Sequence, residues 1–143
     1  MPILTYTTEI AVEKTMGEVI GMLAGRGVTR ISTLFGLGGK PTGISFTMQT
    51  EYGVREFELP VKVEGVLRAM KADAKVPRSK CTPEQAARVA WRIALKWLEA
   101  QSALIDAELA SLDEVMLPWM VANAEGETVY AMIRTAGLKE LES

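Results

Sequence analysis

The sequence predicts an α+β domain in which a small antiparallel sheet (order β-α-β-β-β) is followed by a long C-terminal helix and shorter ones. Three observations carry that expectation. Ile44, Phe46 and Met48 alternate with Ser45, Thr47 and Gln49, and Phe57 and Leu59 alternate again beyond Tyr52-Gly53, which is the period of strands covered on one face. Val12, Met16, Val19, Ile20 and Leu23 recur instead at helical spacing. Thr82-Pro83 with Gln85 three residues after the threonine opens a long apolar stretch as a capping box does, proline taking the first helical position because it has no N–H to leave unpaired. Runs of strands followed by runs of helices are the pattern of a sheet covered by helices.

Taken in order, Leu4–Glu9 is a threonine- and tyrosine-rich alternating strand. The helix Val12–Leu23 follows and ends at Gly25-Arg26-Gly27, where glycine is free to adopt positive φ. Val28–Phe35 reads as a strand, and Gly36–Gly43 as a glycine-rich hairpin loop leading to Ile44–Gln49 and, past Tyr52-Gly53, to Arg55–Leu59. Pro60 stops the sheet, Val63–Lys75 is an amphipathic helix, and Val76–Lys80 is a short basic linker. Cys81 to about Val121 is one long helix and its continuation, with a second cap at Ser111 and Glu114 that restarts or kinks it and a bend at Leu117-Pro118-Trp119. Asn123–Gly126 is a turn, Thr128–Arg134 a short helix or strand, and the chain from Lys139 onward is frayed. The whole is a single domain, 1–61 holding the sheet and one helix and 62–143 mainly helical.

The long helix carries apolar residues on most of its circumference: Ala86, Ala90, Ile93, Trp97 and Leu104 on one side, Ala87, Trp91, Ala94, Leu98, Ile105 and Leu109 on another. Only Arg88, Arg92, Lys96 and Glu99 trace a polar row. Such a helix needs cover all round. Either the rest of the domain wraps it, or a second copy supplies part of the cover and the protein is a homo-oligomer.

With 143 residues, of which 48% are hydrophobic and 24% charged, the chain has the composition of one soluble globular domain. No signal peptide or membrane-spanning run is apparent, and a lone cysteine, Cys81, suits a reducing cytoplasm. Cys81 reads either as a reactive thiol at a helix N-terminus or as a small residue before a cap. Net charge is −2, yet it is unevenly spread. From Lys62 to Lys96 nine basic residues stand against three acidic ones, whereas from Gln101 onward eight acidic residues stand against two basic. That polarity points to a polyanionic partner, or to a basic segment and an acidic one that neutralise each other.

The chemistry missing from the inventory is equally informative. There is no histidine, so Ser-His-Asp and Cys-His arrangements and histidine-based zinc sites are ruled out, and catalysis, a metal and a cofactor are not expected. Gly36, Gly38, Gly39 and Lys40 suggest a phosphate cradle at first sight. A P-loop needs Ser or Thr after Gly-Lys and then a helix, but Pro41 and a strand follow here. These four residues remain a candidate ligand loop.

Gln85–Trp91, with Trp97, Glu99, Ala100 and Gln101 and then Leu117-Pro118-Trp119-Met120, resembles small proteins encoded in phage and prophage genomes. The resemblance spans most of the chain and implies no activity, so it carries over no functional residue. Two roles fit a small non-enzymatic protein of this kind. One is an accessory protein for replication or recombination that binds single-stranded nucleic acid, with Arg68, Lys71, Arg78, Lys80, Arg88, Arg92 and Lys96 on phosphates and Trp91 and Trp97 stacking on bases. The alternative is an anti-defence protein that sequesters a nucleotide signal or a host protein, with the glycine-rich loop as a lid. A structural or assembly role has no residue in its favour.

Overall fold

A computed structural model describes residues 5–136. Its elements are α1 (Val12–Ala24), β1 (Val28–Phe35), β2 (Pro41–Thr50), β3 (Gly53–Pro60), α2 (Val63–Ala72), α3 (Pro83–Asp106), the single turn α4 (Leu112–Val115) and α5 (Val129–Ala136), with 3₁₀ turns at Leu37–Gly39, Arg78–Lys80 and Leu117–Trp119. The three strands form one antiparallel sheet in the order β1-β2-β3. The domain is α+β, as the alternation and the capping signals predict.

Register explains how the sheet divides core from solvent. Ile31 lies opposite Phe46, which lies opposite Phe57, and the two phenylalanine rings stack at 5.3 Å. On the reverse face Ser32, Gln49 and Glu56 are exposed, with Ser45 donating to Glu56 Oε1 at 3.0 Å. Only the core face is roofed by helices. Against it α3 contributes Ala90, Trp91, Leu95 and Leu98, and α1 adds Val19 and Leu23. A second buried group, Met70 and Val76 with Ala86 and Val89, joins α2 and its following segment to α3.

Helix α3 is therefore covered largely from within its own chain, by the sheet, α1 and α2. Part of its apolar surface remains uncovered: Ala87, Ile93, Ala94, Trp97 and Ile105 are half-buried, and Ala100, Ala103 and Leu104 near its C-terminal end are exposed. Its start follows the sequence signal, because Thr82 Oγ1 accepts from the Gln85 N–H at 3.2 Å and Pro83 occupies the first position. The other half of the expected capping box does not form. Buried Gln85 instead turns its amide outward from the helix axis and donates to the carbonyls of Tyr6 and Thr8, both at 2.8 Å.

That contact also explains the segment where expectation and structure part. Thr5–Glu9 forms no strand: Thr5 has φ 61°, Thr8 N–H donates back to the Thr5 carbonyl, and among the described residues the sheet has no fourth member. Leu4 lies outside the described residues. The threonines and tyrosine supply β propensity, but the side chain of Gln85 takes the carbonyls that a neighbouring strand would have used. Propensity of this kind yields to tertiary context.

Past Asp106 the helix ends, Glu108 adopts φ 61°, and the capping box of Ser111 and Glu114 starts a fresh turn. Leu117-Pro118-Trp119 then redirects the chain so that the Val121 N–H donates to the Glu56 carbonyl at 2.8 Å and Met120 bridges to Phe57. The outer edge of β3 is thereby partly paired, which protects it from adventitious strand addition. Of the expected Thr128–Arg134 element, Thr128 forms an isolated antiparallel bridge with Val121 and the rest lies in helix α5. The expected fraying from Lys139 lies outside the described residues.

Candidate nucleic-acid interface

The basic residues separate into two groups once the helices are packed. Arg68 and Lys71 are exposed on α2, three residues apart and hence on one helical face. Beyond α2 the connection carries Lys75 and Arg78, both exposed, and half-buried Lys80. This connection is a shaped arm and not a loose linker. Val76 is buried beneath it, Lys75 N–H donates to Asp73 Oδ1 at 2.9 Å, Val76 N–H to the Asp73 carbonyl at 3.1 Å, and Lys80 N–H to the Pro77 carbonyl at 2.9 Å. The Cys81 thiol donates to that same Pro77 carbonyl at 3.6 Å, which gives the cysteine a place in the fold of the arm. Pinned backbone lowers the entropy lost when Arg78 engages a ligand.

The second group faces inward. Arg92 bridges α3 to α1, donating to Thr15 Oγ1 at 3.3 Å and to Glu18 Oε1 at 3.2 Å, with only 16% of its side chain exposed. Arg88 is half-buried and donates through Nε to Gln85 Oε1 at 2.9 Å, which orients the amide that holds Tyr6 and Thr8. Both guanidinium groups therefore have work within the fold. Lys96 is exposed on α3.

The tryptophans are divided in the same way. Trp91 is fully buried among the core residues, out of reach of any base. Trp97 is half-buried and meets Trp119 edge-to-face at 5.3 Å. These two rings, with Ile93, Ala94, Val66 and Leu59–Lys62, line a groove of about 360 Å³ between α2 and α3. Trp119 and Lys62 escape a reading by helical periodicity, because the first sits beyond a chain reversal at Pro118 and the second precedes its helix.

The candidate ligand loop is the tip of the β1–β2 hairpin. Gly36, Gly38, Gly39 and Lys40 are all exposed, Gly36 N–H donates to the Lys40 carbonyl at 2.8 Å, and Gly38 and Gly39 take φ of 75° and 71°. No helix N-terminus adjoins these amides, so the geometry of a phosphate cradle is not assembled. What the tip does present is apolar: Phe35 is 63% exposed and Leu37 99%.

Elsewhere an open cleft of about 640 Å³ runs between the α1–β1 connection and the α3–α4 connection, with Arg26, Glu108, Asp113 and Glu114 among its walls. At its edge Arg26 pairs with Asp106 at 3.0 Å, and the Tyr52 hydroxyl donates to Asp113 Oδ2 at 3.1 Å. Loss of solvent, and after it the bond and charge of Asp113, hold the Tyr52 hydroxyl above its ordinary ionisation. Among the described residues no three Cys, Asp or Glu side chains converge as a metal site, and no helix is long and apolar enough to cross a membrane. Compared with protein-family models, curated proteins and solved structures, the chain matches none.

Proposed function

We propose that the protein is a non-enzymatic, phage-type accessory protein that binds single-stranded nucleic acid through phosphates, in the cytoplasm of the host cell. The observation that carries the reading is the exposure of four cations along α2 and its arm, Arg68, Lys71, Lys75 and Arg78, on a hydrogen-bonded backbone. Cations on ordered backbone attract a strand and fix its path, while base identity contributes little without an aromatic platform. Arg88, Arg92 and Trp91 drop out of the interface, since the first two hold the α3 contacts and the third fills the core.

The test is anisotropy titration of a single strand of roughly thirty bases across a salt series. Log affinity should fall linearly with log salt, and Arg68→Ala, Lys71→Ala and Arg78→Ala should each reduce the slope by about 0.7. Indole emission should stay unquenched on the Trp91 component. Absence of binding at low salt, or slopes indifferent to all three substitutions, overturns the proposal.

A further inference from the structure

We propose that the groove beside Trp97 and Trp119 seats one nucleobase of the bound single strand, with the phosphate of that nucleotide against Lys62 and Arg68 at the start of α2. The inference rests on the single-strand reading and deepens it, because it gives one nucleotide a seat that cations alone do not provide. Its first support is the aromatic corner. Trp97 and Trp119 meet edge-to-face at 5.3 Å with their planes 75° apart, and both are half-buried, so each ring holds the other while part of its surface reaches solvent. Every base has a flat π-face, and an indole held in place can receive it without regard to sequence.

The second support is the size and charge of the groove. Its volume of about 360 Å³ stands at the small end of ligand sites, which run from about 300 to 1,000 Å³, and suits a single flat ring system. Val66, Ile93 and Ala94 complete its apolar walls, and Lys62 is the one charged residue among the described ones that line it. A cationic ligand drawn to the indoles would meet that ammonium, whereas an anion carrying a flat apolar group is attracted by both.

The third support is the place of a second cation. Arg68 is outside the lining, but its side chain folds back along α2, since a Cβ built at Gly65 would stand 3.7 Å from Arg68 Nη2. Gly65 belongs to the turn that also carries Lys62 and Val66, so the guanidinium and the ammonium flank the same wall of the groove. No side chain caps that turn, and the first N–H groups of a helix attract phosphate. Glu64, the acid of the same turn, is two residues from both Lys62 and Val66 and therefore projects from the other side of the helix.

Anisotropy titration of the full chain with two single strands of equal length, one carrying bases and one with an abasic site at every position, tests the proposal. The abasic strand should bind more weakly by about fivefold or more, and only the base-bearing strand should quench tryptophan emission. This comparison uses the wild-type chain and does not depend on the stability of any variant. Trp119→Ala should weaken the base-bearing strand by a similar factor and leave the abasic strand unchanged, while Trp119→Phe, which keeps an aromatic face, should recover most of the loss. Lys62→Gln should lower the salt slope by about 0.7 on both strands. Equal wild-type affinity for the two strands, emission that does not respond to bases, a Trp119→Ala effect that is nil or the same on both, or a slope indifferent to Lys62→Gln overturns the groove and leaves the phosphate contacts of α2 and its arm standing. Absence of binding by either strand at low salt overturns the groove and the single-strand reading together.

Discussion

Replacing Arg92 with methionine asks whether that cation belongs to the fold or to a ligand. Methionine keeps most of the aliphatic stem, so the change removes chiefly the guanidinium and its two bonds between α3 and α1. The bond to Thr15 Oγ1 is long, at 3.3 Å, but it lies at a residue with no exposed surface, and a hydrogen bond of that kind contributes about 1 kcal/mol. The ion pair with Glu18 is weaker than its 3.2 Å suggests, since 40% of the glutamate side chain faces solvent. Screening reduces it to about 0.5 kcal/mol, the middle of the range for exposed pairs. Together the loss is about 1–2.5 kcal/mol. For a chain of this size that lowers Tm by about 3–10 °C. Urea unfolding followed by circular dichroism should show an earlier midpoint at an unchanged m-value, because the unfolded chain exposes the same surface. The salt dependence of oligonucleotide binding should be untouched. An unchanged midpoint combined with a slope reduced by about 0.7 would refute the reasoning and return Arg92 to the phosphate contacts.

Two further outcomes follow from neighbouring features. Gln85→Leu keeps an apolar body in the α3 core but removes both donors to the Tyr6 and Thr8 carbonyls, so stability should drop by about 1–3 kcal/mol, and amide exchange at Thr8 and Ile10 should accelerate more than at Phe46. Equal acceleration throughout the chain would show that the amide does not act locally. For Tyr52, a folded-state ionisation above the unfolded value of 10.0 means that the fold favours the protonated hydroxyl. The stability it contributes is complete below that value and disappears as pH rises through the folded-state ionisation. An absorbance titration of wild type minus Tyr52→Phe should isolate a phenolate that appears later than in a free tyrosine; a component appearing at or below that value contradicts the assignment.

The sequence by itself determined whatever depends on neighbours in the chain. The alternation through Ile44, Phe46 and Met48 decides which face of β2 is buried because successive side chains must point to opposite sides, and it needs no knowledge of what lies above. Thr82-Pro83 and the pair Ser111 and Glu114 set two helix starts for the same reason, their bonds closing within three residues. The exposed cations of α2, Arg68 and Lys71, were likewise legible, since an amphipathic period places them opposite Val63 and Met70. Only the tertiary structure decided the rest. Arg88, Arg92 and Lys96 are equivalent along the polar row of α3, yet α1 crosses beside Arg92 and captures it, while Lys96 stays in solvent. Gln85 carries the signature of a capping box, yet its side-chain amide donates to the carbonyls of residues nearly eighty positions away, and its oxygen accepts from Arg88. The strand propensity of Thr5–Glu9 goes unused because Gln85 of α3, and not a sheet edge, takes its carbonyls. Trp97 and Trp119 meet only because Pro118 and the bridge from Met120 to Phe57 return the chain along β3. In each case the deciding contact comes from a segment remote in sequence, and neither the period nor the identity of the residue records which segment will arrive.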